Sequence, residues 1–144
     1  MNMEIETCAI AKEEVVSALG TEATLTLATC ADNRVTIRPV SHINASLDVY
    51  FQTSADSLKM QQIRINSNVA LCVGSYQIEG TAKEQGHPLA SENAFFAAAY
   101  EKKHPGSFQK YSAYPDEIVV CVTIQHVTQW RYIGGKPCVA KLGV

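Results

Sequence analysis

The spacing of hydrophobic positions changes repeatedly along this chain, and each change predicts a new element. Ile10, Val15, Val16 and Leu19 recur at near-helical intervals, and Gly20 stands where a C-cap glycine belongs, which predicts a short first helix over residues 10–19. From Ala23 the period drops to two in Thr24-Leu25-Thr26-Leu27-Ala28-Thr29, and Ala31-Asp32-Asn33-Arg34 supplies turn chemistry. A strand and a hairpin follow. Residues 35–44 continue as a second strand, and Asp48-Val49-Tyr50-Phe51-Gln52-Thr53 reads as a third after a tight connection at 45–47.

Asp56 or Ser57 can cap a helix in which Leu58, Met60 and Ile63 face inward, ended by the polar run Asn66-Ser67-Asn68. A long strand comes next, nearly all apolar over 69–73 and alternating over 76–82, with a kink at Gly74. Ser91 stands as the N-cap of a helix over 91–103 with Phe95, Phe96, Ala99 and Tyr100 on its inner side, and His104-Pro105-Gly106 stops it. Residues 108–117 read as irregular, and 118–133 as one long or broken closing strand ending at Gly134-Gly135. Hairpins first, helices inserted between strands and no βαβ alternation predict a mainly-β, α+β fold: an antiparallel barrel with helices at its ends.

Composition narrows the function classes. A length of 144 residues fits one domain, 1–144, with one sizeable core. The formal net charge of −2 is scattered rather than blocked, so neither nucleic acid nor an anionic membrane is expected as a partner. Glu4 and Glu6 stand where a secretion signal needs Lys or Arg, and no apolar run approaches the roughly 20 residues of a membrane span, which predicts a cytoplasmic protein. Cys8, Cys30, Cys72, Cys121 and Cys138 are odd in number, widely spaced and free of any CxxC pair, and are expected to be reduced and mostly buried. His42, His87, His104 and His126 have no metal-ligand spacing, and neither a Gly-rich nucleotide loop nor a serine nucleophile elbow is present.

Three segments could carry chemistry. Pro39, in Arg38-Pro39-Val40-Ser41, cannot donate to a sheet ladder, so it marks an edge, a bulge or a place where something other than a strand lies alongside. Alternation puts Arg38, Val40 and His42 on one face and Ile37, Pro39, Ser41 and Ile43 on the other; a surface ion pair for Arg38 is the competing reading. In Gln52-Thr53-Ser54-Ala55-Asp56-Ser57-Leu58-Lys59 a strand end runs into a helix start, where free N–H groups, hydroxyls and Lys59 could cradle a phosphate; simple helix capping is the alternative. Trp130, the single tryptophan, could wall a flat ligand or serve in a core or an interface.

Taken together, Arg38-Pro39-Val40-Ser41, the run from Phe51 to Lys59 and Asn68-Val69-Ala70-Leu71-Cys72-Val73 resemble the pyridoxamine 5′-phosphate oxidase-like family of FMN-binding split barrels, over residues 20–82 and again near Trp130. The resemblance implies a six-stranded antiparallel split barrel working as a homodimer, with FMN in clefts between subunits. It implies cofactor contacts at Arg38, Pro39, Val40, Ser41, Gln52, Thr53, Ser54, Ser57, Lys59 and Trp130, with Lys59 meeting the phosphate. Leu58 takes the place of a second basic residue, which should weaken phosphate binding. After Trp130 the chain reads Lys136-Pro137-Cys138-Val139-Ala140-Lys141, without the arginine and histidine cluster that grips the vitamer phosphate in the true oxidase. The expectation is therefore a short, general member: a flavoprotein oxidoreductase moving hydride or electrons between a nicotinamide or other donor and a small-molecule acceptor. A non-catalytic flavin, haem or deazaflavin binding or sensing module is the alternative, and a dimeric barrel with an empty cleft a third.

Overall fold

The computed structural model describes residues 5–143, and buried and exposed side chains alternate along most of its strands. A short strand β1 (Glu6–Ala9) leads into helix α1 (Lys12–Thr21), which buries Val15 and Leu19. Strands β2 (Thr24–Ala31), β3 (Arg34–Ala45) and β4 (Asp48–Ser54) follow as two hairpins, turning through left-handed backbone at Asp32, Asn33 and Ser46. Helix α2 (Leu58–Ile65) precedes strands β5 (Asn68–Val73) and β6 (Tyr76–Glu84). A single 3-10 turn, Ser91–Asn93, opens helix α3 (Ala94–Lys103), and helix α4 (Pro105–Tyr111) leads to the long strand β7 (Glu117–Ile133) and to β8 (Lys136–Leu142).

Strands β7, β4, β3, β2, β5 and β6 pair in that order, and β6 pairs again with β7, so six antiparallel strands close on themselves. Closure pairs β6, which would otherwise be a free edge, with β7. The barrel is filled by Leu25, Leu27, Val49, Phe51, Leu71, Ile78, Val120 and Val122, and Met60 and Ile63 of α2 pack onto the same core. On the outside, Ile43, Val119, Phe96 and Tyr100 form a smaller cluster that seats α3 against β3 and β7. Strand β6 packs tightly on β7 at Gly80, beside a register shift between Glu79 and Gly80. A Cβ there would stand 2.5 Å from the Thr123 carbonyl oxygen and 2.8 Å from Val122 Cγ1, so only glycine fits.

The barrel is split between β3 and β4. Residues Arg34 to Ser41 of β3 pair with β2, but β3 pairs with β4 only from His42 to Ala45; opposite them, β4 pairs with β3 only from Asp48 to Phe51. The end of β4, Gln52 to Ser54, is held by β7 alone. Pro39 lies in the stretch of β3 that has parted from β4, where its missing N–H costs no ladder bond to that strand.

Several local expectations are corrected. The first helix runs through Gly20 and ends on the extended Glu22, so Gly20 is no cap. Gly74 is a turn residue at φ +55°, and what read as one kinked strand is the β5–β6 hairpin. Ser91 lies inside the 3-10 turn rather than capping a helix. Pro105 does not stop the helical region but takes an early position in α4, where its missing N–H is no loss, so the start of the stretch expected to be irregular, 108–111, is helical, and turns follow to 116. Leu58 and Phe95, expected inside, are 38% and 57% exposed, and the polar Gln62 takes the inner place on α2. Strand β8 pairs with the end of β7, so Trp130 sits on the penultimate strand. The expectation of five reduced cysteines also fails: β1 runs parallel to β8, and Cys8 and Cys138, with Cα atoms 6.3 Å apart, form a disulfide across 130 residues of sequence. Of the others, Cys121 is buried, Cys30 half-buried and Cys72 exposed.

Candidate functional site

A cleft of about 510 Å³ opens where β3 and β4 part. Its floor is Pro39, Val40 and Ser41 on one side and Gln52, Thr53 and Ser54 on the other, with Ser57 and Lys59 at the head of α2. Tyr100, Ser107, Tyr111 and Tyr114, from α3, α4 and the turn beyond, form a facing wall, with Asp116 and Glu117 at the start of β7.

The hydroxyl end is internally organised. Lys59 Nζ donates to Thr53 Oγ1 at 2.8 Å, Thr53 Oγ1 donates to Ser57 Oγ at 3.3 Å, and Ser57 Oγ, the N-cap of α2, accepts from the Met60 backbone N–H at 3.4 Å. Arg38 lies behind this end. Its Nη1 donates to Thr29 Oγ1 at 2.9 Å and to the Leu27 carbonyl at 3.3 Å, and its Nη2 donates to Thr36 Oγ1. The surface ion pair considered for Arg38 is not formed: among the described residues the ion pairs are Arg64–Glu84 and Arg131–Glu14. Burial lowers the Lys59 pKa, the Arg38 charge lowers it further and Glu117 opposes both. Lys59 at the head of α2 and Arg38 behind the cleft therefore stand near each other with, among the described residues, no carboxylate in an ion pair with either.

The facing wall has its own chemistry. Tyr100 is buried and its hydroxyl lies 2.8 Å from Ser107 Oγ. Asp116 accepts from Ser54 Oγ at 3.0 Å. Glu117 is only 9% exposed, and burial, then the Asp116 charge, pushes its carboxyl above the usual carboxylate range, with Lys59 and His87 acting the other way. Gln52 accepts from Ser112 Oγ at 2.8 Å, which leaves its buried Nε2 without a partner. A buried donor left unpaired costs on the order of 1–3 kcal/mol, so an acceptor brought by a ligand would recover that loss.

The pyridoxamine 5′-phosphate oxidase family model matches residues 11–131, nearly the whole barrel. The chain belongs to this family. Solved split-barrel structures share its fold at low identity. An FAD-binding protein of Mesorhizobium loti superposes with a TM-score of 0.66 at 14% identity, over 82% of this chain and 92% of that one. The heme storage protein HutZ of Vibrio cholerae gives 0.66 at 12%, over 78% and 88%. An F420 reductase gives 0.62 at 18%, over 75% and 90%. A comparison with curated proteins finds none that matches.

Within this family member, the expected site residues divide into three groups. Pro39, Val40, Ser41, Gln52, Thr53, Ser54, Ser57 and Lys59 all line the one cleft. Arg38 sits behind it, close enough to Lys59 to act on its charge. Trp130 is not brought to this cleft within one chain: it is 42% exposed on the β7–β8 hairpin, its ring edge-on to Tyr132 at 6.1 Å. Sequence reasoning missed the tyrosine wall, Asp116 and Glu117, because 108–117 read as irregular. The spacing of Tyr111, Tyr114 and the acidic pair was the available signal, without anything local to say that they face β3.

Proposed function

We propose that this protein holds FMN in the split between β3 and β4, at an interface between two copies, and moves hydride or electrons between a nicotinamide or other donor and a small-molecule acceptor. The observation that carries this reading is that Lys59, Thr53 and Ser57 meet at the head of α2, with Arg38 close enough to act on the Lys59 charge and, among the described residues, no carboxylate in an ion pair with either cation. Such a place suits a terminal phosphate, because hydroxyls, free helix N–H groups and positive charge all favour a compact anion. The unpartnered Nε2 of Gln52 suits a ring carbonyl or ring nitrogen in the same cleft.

When bound, FMN supplies the chemistry of taking up and giving up two electrons. The chain's own residues then bind and orient. Lys59, Ser57 and Thr53 would hold the phosphate, with Arg38 adding charge from behind; Pro39, Val40 and Ser41 would line the place of the ring, and Tyr100, Tyr111 and Tyr114 would help to exclude water from the cleft.

The second copy follows from two exposed features. The outer face of β2, β3 and β5 presents Val35 and Ile37, 67% and 68% exposed, beside a groove of about 310 Å³ lined by Ala28, Ile37, Ala70 and Cys72. A one-sided antiparallel sheet normally turns polar residues to water, so an apolar outer face calls for a cover. The β7–β8 hairpin also carries exposed Trp130, Tyr132 and Ile133, and in a pair of chains Trp130 would be free to meet the cleft of the other copy. Among the described residues no helix is long and apolar enough to cross a membrane.

The deciding experiment is the visible spectrum of the purified protein before and after adding FMN and a nicotinamide donor under nitrogen. Flavin bands that appear in the wild type, bleach with the donor and are lost in Lys59→Ala support the reading. A protein that ignores FMN overturns it; one that binds FMN but is reduced by no donor retains the cofactor and loses the electron-transfer role.

A further inference from the structure

Beneath α2 lies a side-chain network that makes no contact with the cleft, yet governs the cation behind it. Gln62 is 4% exposed, and its Oε1 accepts from Thr29 Oγ1 at 2.5 Å and from Thr36 Oγ1 at 2.6 Å, while its Nε2 donates to the Arg34 carbonyl at 3.1 Å. The same two hydroxyl oxygens accept from the guanidinium of Arg38. We propose that Gln62 is a positioning residue for anion binding: through Thr29 and Thr36 it orients Arg38 without neutralising it. This inference rests on the FMN reading given above.

Proton direction is the core of the case. An amide Oε1 can only accept, so each threonine must spend its single hydroxyl proton on Gln62. Although Thr29 Oγ1 and Thr36 Oγ1 are 3.1 Å apart, neither then has a proton left for the other, and both present lone pairs to Arg38. Gln62 Nε2, anchored on the Arg34 carbonyl, fixes which end of the amide faces the threonines. Arg38 is thus held by two hydroxyls and one backbone carbonyl, all uncharged, and keeps its full positive charge and its remaining N–H donors. A carboxylate in place of the amide would still accept from both threonines but would lose the donor to the Arg34 carbonyl, and its electrostatic effect on Arg38 would be the opposite. Its negative charge would be balanced by Arg38 one hydroxyl away, and the field at the head of α2 would fall.

The consequence is selective for the phosphate. Riboflavin has the same ring without the anion, so the ratio of FMN to riboflavin affinity isolates the contribution of Arg38 from general damage to the cleft. Flavin fluorescence quenching should give a wild type that prefers FMN, and a Gln62→Glu variant whose FMN affinity is about tenfold weaker while riboflavin binding is unchanged. Thr36→Val, at a half-buried position that tolerates the swap better, should lower the same ratio several-fold, and Thr36→Ser should restore it. The Thr36 pair keeps the test open should Gln62→Glu fail to fold, which circular dichroism reports. A wild type that prefers FMN, with a ratio that neither Gln62→Glu nor Thr36→Val changes, overturns this inference and leaves the cofactor reading standing. A wild type indifferent to both flavins overturns the cofactor reading itself, and the role of Gln62 with it.

Discussion

Lys59 Nζ donates to Thr53 Oγ1 at 2.8 Å, joining the first turn of α2 to the end of β4 at the point where that strand has left β3. This bond ties a cation to the barrel split, and it organises the hydroxyls around it. Lys59→Ala should raise the dissociation constant for FMN by about ten- to a hundredfold, the range expected for losing a charge-assisted bond to phosphate. The flavin-free variant should melt no lower than wild type, because it also relieves the mutual repulsion with Arg38. Fluorescence titration and a melting curve check both halves; undiminished FMN affinity sinks the assignment.

His42 makes stability depend on pH. It is fully buried, its Nε2 lies 2.7 Å from the Leu19 carbonyl, and its Nδ1 has no partner. With Nε2–H donating to Leu19, charging the ring would put a second proton on the buried Nδ1, which makes no hydrogen bond in the neutral ring. Burial, then the charges of Lys103 and His104, depress its pKa from 6.5 to about 4, with the Leu19 and Val40 backbone acting the other way. Between those values the unfolded chain binds a proton that the folded chain refuses. Stability is therefore full above about pH 6.5 and falls as the pH drops toward 4, by on the order of 3 kcal/mol from this group. Glu117 has the opposite sign: its folded pKa is raised, so its contribution is lost as the pH rises through that value. Urea midpoints across this range, wild type against His42→Gln, isolate the histidine; equal slopes in both refute it.

Gly80→Ala should destabilise the barrel by about 1–3 kcal/mol, because the new methyl would sit 2.5 Å from the Thr123 carbonyl oxygen and the β6–β7 seam would have to open. A urea midpoint within error of wild type would show that β6 can shift at no cost.

Ile37→Lys tests the paired state. At 68% exposure the side chain contributes little to the isolated chain, yet it lies in the middle of the apolar outer face. Sedimentation should show a wild-type dimer and a folded monomeric variant with weakened FMN binding, since a single chain leaves the cleft open. A wild-type monomer with FMN bound contradicts the proposed interface.

Trp130→Ala should leave the melting temperature of the flavin-free protein nearly unchanged, as the ring is 42% exposed, and weaken FMN binding through the other copy. Retained affinity in a dimer would remove Trp130 from the site.

The period-two alternation of β2, β3 and β4 and an N-cap at Asp56 or Ser57, which the fold gives to Ser57, were legible in the sequence, because strands and caps are set by neighbours in the chain. Pro39 also announced its role: a residue without an N–H marks where a ladder ends. The β8 strand, the α4 helix and the β5–β6 turn were less readable, since Lys136-Pro137-Cys138 and His104-Pro105-Gly106 carry local stop signals that pairing and packing overrode.

What the sequence by itself determined about this protein is the set of short-range devices: alternating strands, the hydroxyl-rich head of α2, and the open place on β3. Tertiary structure alone decided which of these meet. The closed barrel leaves β3 and β4 parted at one end and brings Tyr100, Tyr111, Tyr114 and Glu117 from a distant segment to line one cleft with Ser41 and Lys59. It placed Gln62 under Arg38, left Trp130 away from its own cleft, and brought Cys8 to Cys138 across 130 residues. The physical reason is one of range. Propensity, capping and alternation act over a few residues, whereas the partner of a buried polar group or a parted strand is chosen by how the whole barrel closes.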